Sequence, residues 1–75
     1  MFESFKQYLI DEHRVSPEAI TMEAELAGDL GINSLELADL AFTCEERFNI
    51  EIDDEVLHTF KTVGDVVNYL EANVQ

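Results

Sequence analysis

Between Ser34 and Phe48 the apolar residues recur at two helical phases at once, and nowhere in the chain do apolar and polar residues alternate as they would in a half-buried strand. One phase is Leu37, Leu40, Ala41, Cys44 and Phe48, at i, i+3, i+4, i+7 and i+11. The other is Leu35, Ala38 and Phe42, at i, i+3 and i+7, flanked by Glu36, Asp39, Glu45 and Glu46. A helix of this kind needs other helices against at least one stripe. The second stripe has two readings: burial on a further side of the bundle, or an exposed apolar centre ringed by carboxylates that steer a basic partner.

The rest of the chain supplies the other helices. Phe2, Phe5 and Leu9, with Ile10 alongside, predict a first helix over residues 2–13, and His13 and Arg14 suit its C-terminal end. Ser16 is placed to cap a single turn that has Pro17 at its first position. The long segment up to Asn33 carries Ile20, Leu26, Leu30 and Ile32 as core anchors, with Gly28 and Gly31 giving backbone freedom. Asn49 ends the long helix. Asp53, Asp54 and Glu55 open a short third helix carrying Val56, Leu57 and Phe60. Thr62 and Asp65 form a capping-box-like pair before Val63, Val66, Val67, Leu70 and Val74, which mark a fourth helix. The expectation is an all-α fold: one domain over residues 1–75, a small four-helix bundle of three long helices and one short third helix, with a long loop between the first and second.

Charge narrows the function. Four basic residues against 17 acidic ones give −13, which repels nucleic acid and anionic lipid and calls for basic partner surfaces. A 47% hydrophobic content supports a core, against the disorder that such acidity can signal. Cys44 is the single cysteine, and no stretch is apolar over the roughly 20 residues of a membrane span or resembles a cleaved signal, so a reducing, cytoplasmic setting and a monomer are expected. Cys44 lies on the core stripe and reads as a small hydrophobe. His13 and His58 are isolated and read as surface residues, and the acids Glu51, Asp53, Asp54 and Glu55 lack the order of a calcium loop. No metal site and no nucleophile–base pair are expected, hence no enzyme; diffuse, weak divalent binding fits the acidity. Ser34, taken alone, reads as an ordinary helix N-cap.

From Gly28 to Glu55 the chain reads GDLGINSLELADLAFTCEERFNIEIDDE. This is similar to the central motif of acyl carrier proteins, DLGxDSL followed by an acidic helix. The likeness extends to Phe48, to Ile52-Asp53-Asp54 and to Phe60-Lys61-Thr62-Val63. The resemblance implies a carrier in which a phosphopantetheinyl transferase attaches 4′-phosphopantetheine from coenzyme A to the hydroxyl of Ser34, the arm's thiol then holding acyl groups as thioesters. It implies docking of acyl-loading and acyl-elongating enzymes, through basic surfaces, on Asn33, Leu35, Glu36, Ala38, Asp39, Phe42, Glu45 and Glu46. It also implies an acyl pocket near Leu40, Cys44, Leu57 and Phe60. Two residues depart from the family's habit: Asn33 where Asp is usual, and Arg47 where the helix is often acidic. Fatty-acid biosynthesis is the branch most resembled. A polyketide or other specialised acyl or aminoacyl pathway is the alternative, as is an unmodified interaction module in which Ser34 only caps.

Overall fold

The computed structural model describes residues 1–73, and its four helices are α1 (Phe2–His13), α2 (Ser34–Phe48), α3 (Asp54–Leu57) and α4 (Val63–Asn73). A single 3-10 turn, Pro17–Ala19, interrupts the loop after α1. Each helix ends or begins for a local reason. Arg14 and Asn49 adopt left-handed conformations, φ 55° and 54°, that close α1 and α2 through amide bonds back to Leu9 and Glu45. Ser16 does not cap the 3-10 turn as its position suggested. Its hydroxyl donates instead to the Glu18 carboxylate at 2.9 Å, an interaction available because the two side chains are only two residues apart on an exposed turn.

The core is apolar; among the described residues no polar or charged residue is buried as a whole, the His13 ring being packed at its edge. α1 contributes Phe5, Tyr8 and Leu9, α2 contributes Leu40, Ala41 and Cys44, and α4 contributes Val63, Val66, Val67 and Leu70. Apart from Tyr8, which the spacing did not single out, these belong to the stripes read from spacing, with Phe2 and Ile10 half-buried beside them; burial of each large member stabilises the fold by about 1.5–3 kcal/mol. Val74, the last member of the fourth stripe, lies outside the described residues. Phe60 is a partial correction: α3 ends at Leu57, and Phe60 is buried from the turn that follows.

The long α1–α2 loop is anchored to the core by its own apolar residues. Ile20, Leu26 and Ile32 are buried and Leu30 packs against the core. Its backbone pairs with the entry to α4: Leu26 donates to Lys61 at 2.9 Å, Val63 to Ala24 at 2.9 Å and Gly64 to Met22 at 2.8 Å. A Cβ at Gly64 would stand 2.9 Å from the Met22 carbonyl, so this approach requires glycine. Gly31, at φ +70°, supplies the reversal that carries the loop into α2.

At the start of α4 the expected exchange forms. Asp65 accepts from the Thr62 and Lys61 amides at 3.0 and 2.9 Å, and its own amide donates to the Thr62 hydroxyl at 3.2 Å. The two amide bonds hold the Asp65 carboxyl below its ordinary range. A depressed pKa means the contribution is complete above the ordinary carboxylate range and is lost as pH falls through the lower folded value. Asp65→Ala is therefore expected to cost about 1 kcal/mol near neutrality, and urea melts of the two proteins should converge in strong acid. The charge of −13 generates a second expectation: added salt or millimolar Mg²⁺ or Ca²⁺ raises the melting temperature, and a melt indifferent to all three contradicts it.

Candidate functional site

The N-terminus of α2 is closed by two neighbours of Ser34. Asn33 is the N-cap, with extended backbone (φ −83°, ψ 178°); its carbonyl oxygen Oδ1 accepts from the Glu36 amide at 2.8 Å, and its own amide donates to Glu36 Oε1 at 3.1 Å. Ser34 is thus the first residue inside the helix, which corrects its reading as an N-cap: Asn is at least as good a cap, and Glu three residues on completes the box. The Ser34 side chain is left exposed and relieved of any capping duty. Glu36 is braced from α1, where His13 Nδ1 stands 3.8 Å from its Oε2. The His13 side chain is only 7% exposed, and its Nε2 lies 2.9 Å from the Tyr8 hydroxyl. His13 is therefore a packed, partnered residue and not the surface residue its isolation in the sequence suggested; His58 is exposed.

The two stripes of α2 part company in space. Leu40, Ala41 and Cys44 are buried, with Leu37 and Phe48 half-buried against the core. On the other side Leu35 is 81% and Phe42 59% exposed, with Ala38 exposed between them. The surrounding acids are not equivalent. Glu36 serves the cap, and Glu45 accepts from the Ile52 amide at 2.8 Å, fastening the loop before α3. Asp39 and Glu46 stand exposed. Arg47 lies over the Tyr8 ring, 5.5 Å from its centroid. Leu35, Ala38 and Phe42 border a groove of about 660 Å³ whose far wall is Glu12 and His13 of α1. Those two α1 residues were not legible as part of this face, because only the packing of α1 on α2 brings them there.

A second, smaller cavity of about 270 Å³ opens beside Ser34, between α2 and the α3–α4 corner. Leu57 and Phe60 line it together with Leu37, His58 and Lys61. Leu40 and Cys44, grouped with Leu57 and Phe60 by the resemblance, are not on its wall; at 0% and 2% exposure they sit in the closed core. Burial pushes the Cys44 thiol up to about 12, against the opposing pull of Arg47, so it stays protonated and unreactive at neutral pH. Among the described residues no three His, Cys, Asp or Glu side chains are grouped to hold a metal ion, and no helix is long and apolar enough to cross a membrane.

An exposed hydroxyl at a rigid helix start, beside a cavity with no carboxylate on its wall, is suited to receiving an anionic group delivered by another protein. The comparisons agree with that geometry. Residues 3–70 match the family described as the phosphopantetheine attachment site. The chain is 41% identical over 73 residues to an acyl carrier protein of Wolinella succinogenes, covering 97% of this chain and 96% of the relative. It is 45% identical over 74 residues to an acyl carrier protein of Coprothermobacter proteolyticus, covering 99% and 90%. Its fold is similar to the crystal structure of an acyl carrier protein from Thermotoga maritima, with a TM-score of 0.81 at 21% identity over 93% of this chain and 81% of that one. The chain belongs to the acyl carrier proteins of the phosphopantetheine-attachment family: it is a carrier, not an enzyme, and its cofactor is phosphopantetheine.

The assignment of capping to Asn33 makes a stability prediction. Asn33→Ala is expected to lose about 1 kcal/mol, whereas Ser34→Ala should melt within about 0.5 kcal/mol of the wild type, as substitutions away from such features do. Equal losses in urea denaturation of the two variants would return the capping role to Ser34.

Proposed function

We propose that Ser34 is the residue to which the phosphopantetheine arm is attached, and that the carrier serves fatty-acid biosynthesis in the cytoplasm. The observation that carries the first part is the release of Ser34 from the cap: its hydroxyl is exposed while Asn33 and Glu36 hold the helix end rigid around it. In the attachment step the Ser34 oxygen forms a bond to the phosphorus of coenzyme A nearest the pantetheine. The bond from that phosphorus to the bridging oxygen breaks, and adenosine 3′,5′-bisphosphate leaves. The hydroxyl proton passes to a base of the transferase, since Ser34 has no carboxylate beside it in its cavity. The arm, once attached, supplies a terminal thiol for thioester chemistry.

The chain's own contribution is positioning and recognition. Leu35, Ala38 and Phe42 are the apolar anchors of the docking face, and Asp39 and Glu46 are its free carboxylates. Asn33, Glu36 and Glu45 belong to the same face but act there through the cap and the loop they hold. Partners with basic surfaces, the transferase and the acyl-loading and acyl-elongating enzymes, complement a chain of charge −13. For the acyl chain we propose entry past Leu57 and Phe60. Leu40 and Cys44 become part of its seat only when the core between α2 and α3 parts, because both are closed off at rest. The fatty-acid branch is supported by the acidity of α2 and the resemblance of its motif. Asn33 and Arg47, where acids are the family's habit, are the observations that favour a dedicated specialised pathway instead.

Phosphopantetheine-loaded protein given malonyl-coenzyme A and a malonyltransferase of fatty-acid synthesis is expected to gain a hydroxylamine-labile malonyl group, followed by intact mass. Phe42→Ala should lower kcat/KM for this transfer about tenfold through KM, the loss of one apolar anchor, with an unchanged melting temperature. A loaded carrier that no such transferase accepts sinks the fatty-acid branch and leaves the specialised one.

A further inference from the structure

In a chain with 17 acids and four Lys or Arg residues, a cavity wall that carries a lysine and a histidine and no carboxylate needs an explanation. The wall beside Ser34 is such a place. Lys61 and His58 lie on it with Leu37, Leu57 and Phe60. Other cations of the chain are spent differently: Lys6 lies over the Phe2 ring at 6.0 Å and Arg47 over the Tyr8 ring at 5.5 Å. Among the described residues the one contact within 4.0 Å between a basic and an acidic side chain joins His13 to Glu36, so the Lys61 ammonium is not paired with a carboxylate.

The root of Lys61 is fixed although its head is free. Its amide donates to Asp65 at 2.9 Å, and its carbonyl accepts from the Leu26 amide at 2.9 Å. His58 closes α3, its amide donating to Asp54 at 3.1 Å. The acids on the surrounding elements are partly engaged: Glu36 of α2 in the cap, Asp65 of α4 with the Lys61 and Thr62 amides, leaving Asp54 and Glu55 of α3 exposed. None of them is on the cavity wall.

We propose that Lys61 and His58 form a seat for the phosphodiester joined to Ser34, holding the root of the arm on the α3–α4 side of α2. The seat rests on the reading of Ser34 as the attachment residue. It separates two jobs on one helix. The arm leaves over Leu37, Leu57 and Phe60, and the groove bordered by Leu35, Ala38 and Phe42 stays open for a partner. A lysine ammonium and an imidazole N–H are both donors suited to phosphate oxygens, and a charge-assisted bond of this kind is about twice as strong as a neutral one.

The test compares apo and loaded protein by ¹⁵N and ³¹P NMR, with intact mass and peptide mapping to certify loading at Ser34. The seat predicts that loading shifts the side-chain resonances of His58 and Lys61, and that Lys61→Ala and His58→Ala each move the phosphorus resonance without changing the melting temperature. Protein loaded at Ser34 whose shifts are confined to residues 33–37, with the phosphorus resonance indifferent to both variants, overturns the seat and leaves the attachment standing. Loading at any other residue overturns both.

Discussion

The reciprocal hydrogen bonds between Asn33 and Glu36 are the constraint on which the site depends. They satisfy orphan amides at the start of α2 with residues on either side of Ser34, so the helix end is ordered without using the serine hydroxyl. The lock reaches further through Glu36, which meets His13 at the end of α1, and His13 in turn meets Tyr8. The residue proposed to bear the arm therefore stands on a helix terminus tied to a second helix, while remaining open to solvent itself.

Two faces of α2 follow from its sequence and are kept apart by the bundle. The stripe through Leu40, Ala41 and Cys44 closes the core, and the stripe through Leu35, Ala38 and Phe42 is left outside it. An exposed phenylalanine and leucine cost solubility in most small proteins; here a charge of −13 opposes that cost through repulsion between copies and, in the function proposed above, complements basic partners. The buried side carries no reactive group, since the Cys44 thiol is held protonated by its burial. A carrier needs rigidity at the attachment point and adaptability at the arm, and the chemistry is left to the proteins it visits.

Much of this was legible in the sequence, because helical period is a local property. The bounds 2–13 and 34–48 match α1 and α2 residue for residue, and the Thr62–Asp65 exchange forms as its spacing implied. What was not legible depends on backbone angles or on contacts between elements. Asn33 and Ser34 are both good caps, and only the extended conformation of Asn33 separates them. His13 looks solvent-bound on its own helix and is packed only because Tyr8 and Glu36 close over it. Leu40 and Cys44 share a helical phase with the core and not with the cavity beside Ser34. His58 and Lys61 join that cavity, opposite Leu37 of α2, through the turn after α3, which no periodicity describes.

The central claim is that Ser34 is free of structural duty because it is the point of attachment. The most direct measurement is the intact mass of wild type and Ser34→Ala after incubation with coenzyme A, Mg²⁺ and a promiscuous phosphopantetheinyl transferase, with circular dichroism to verify folding. The account predicts a gain of one phosphopantetheine in the wild type and none in an equally folded Ser34→Ala. A gain that persists in Ser34→Ala, or a folded wild type that no transferase loads, would contradict it.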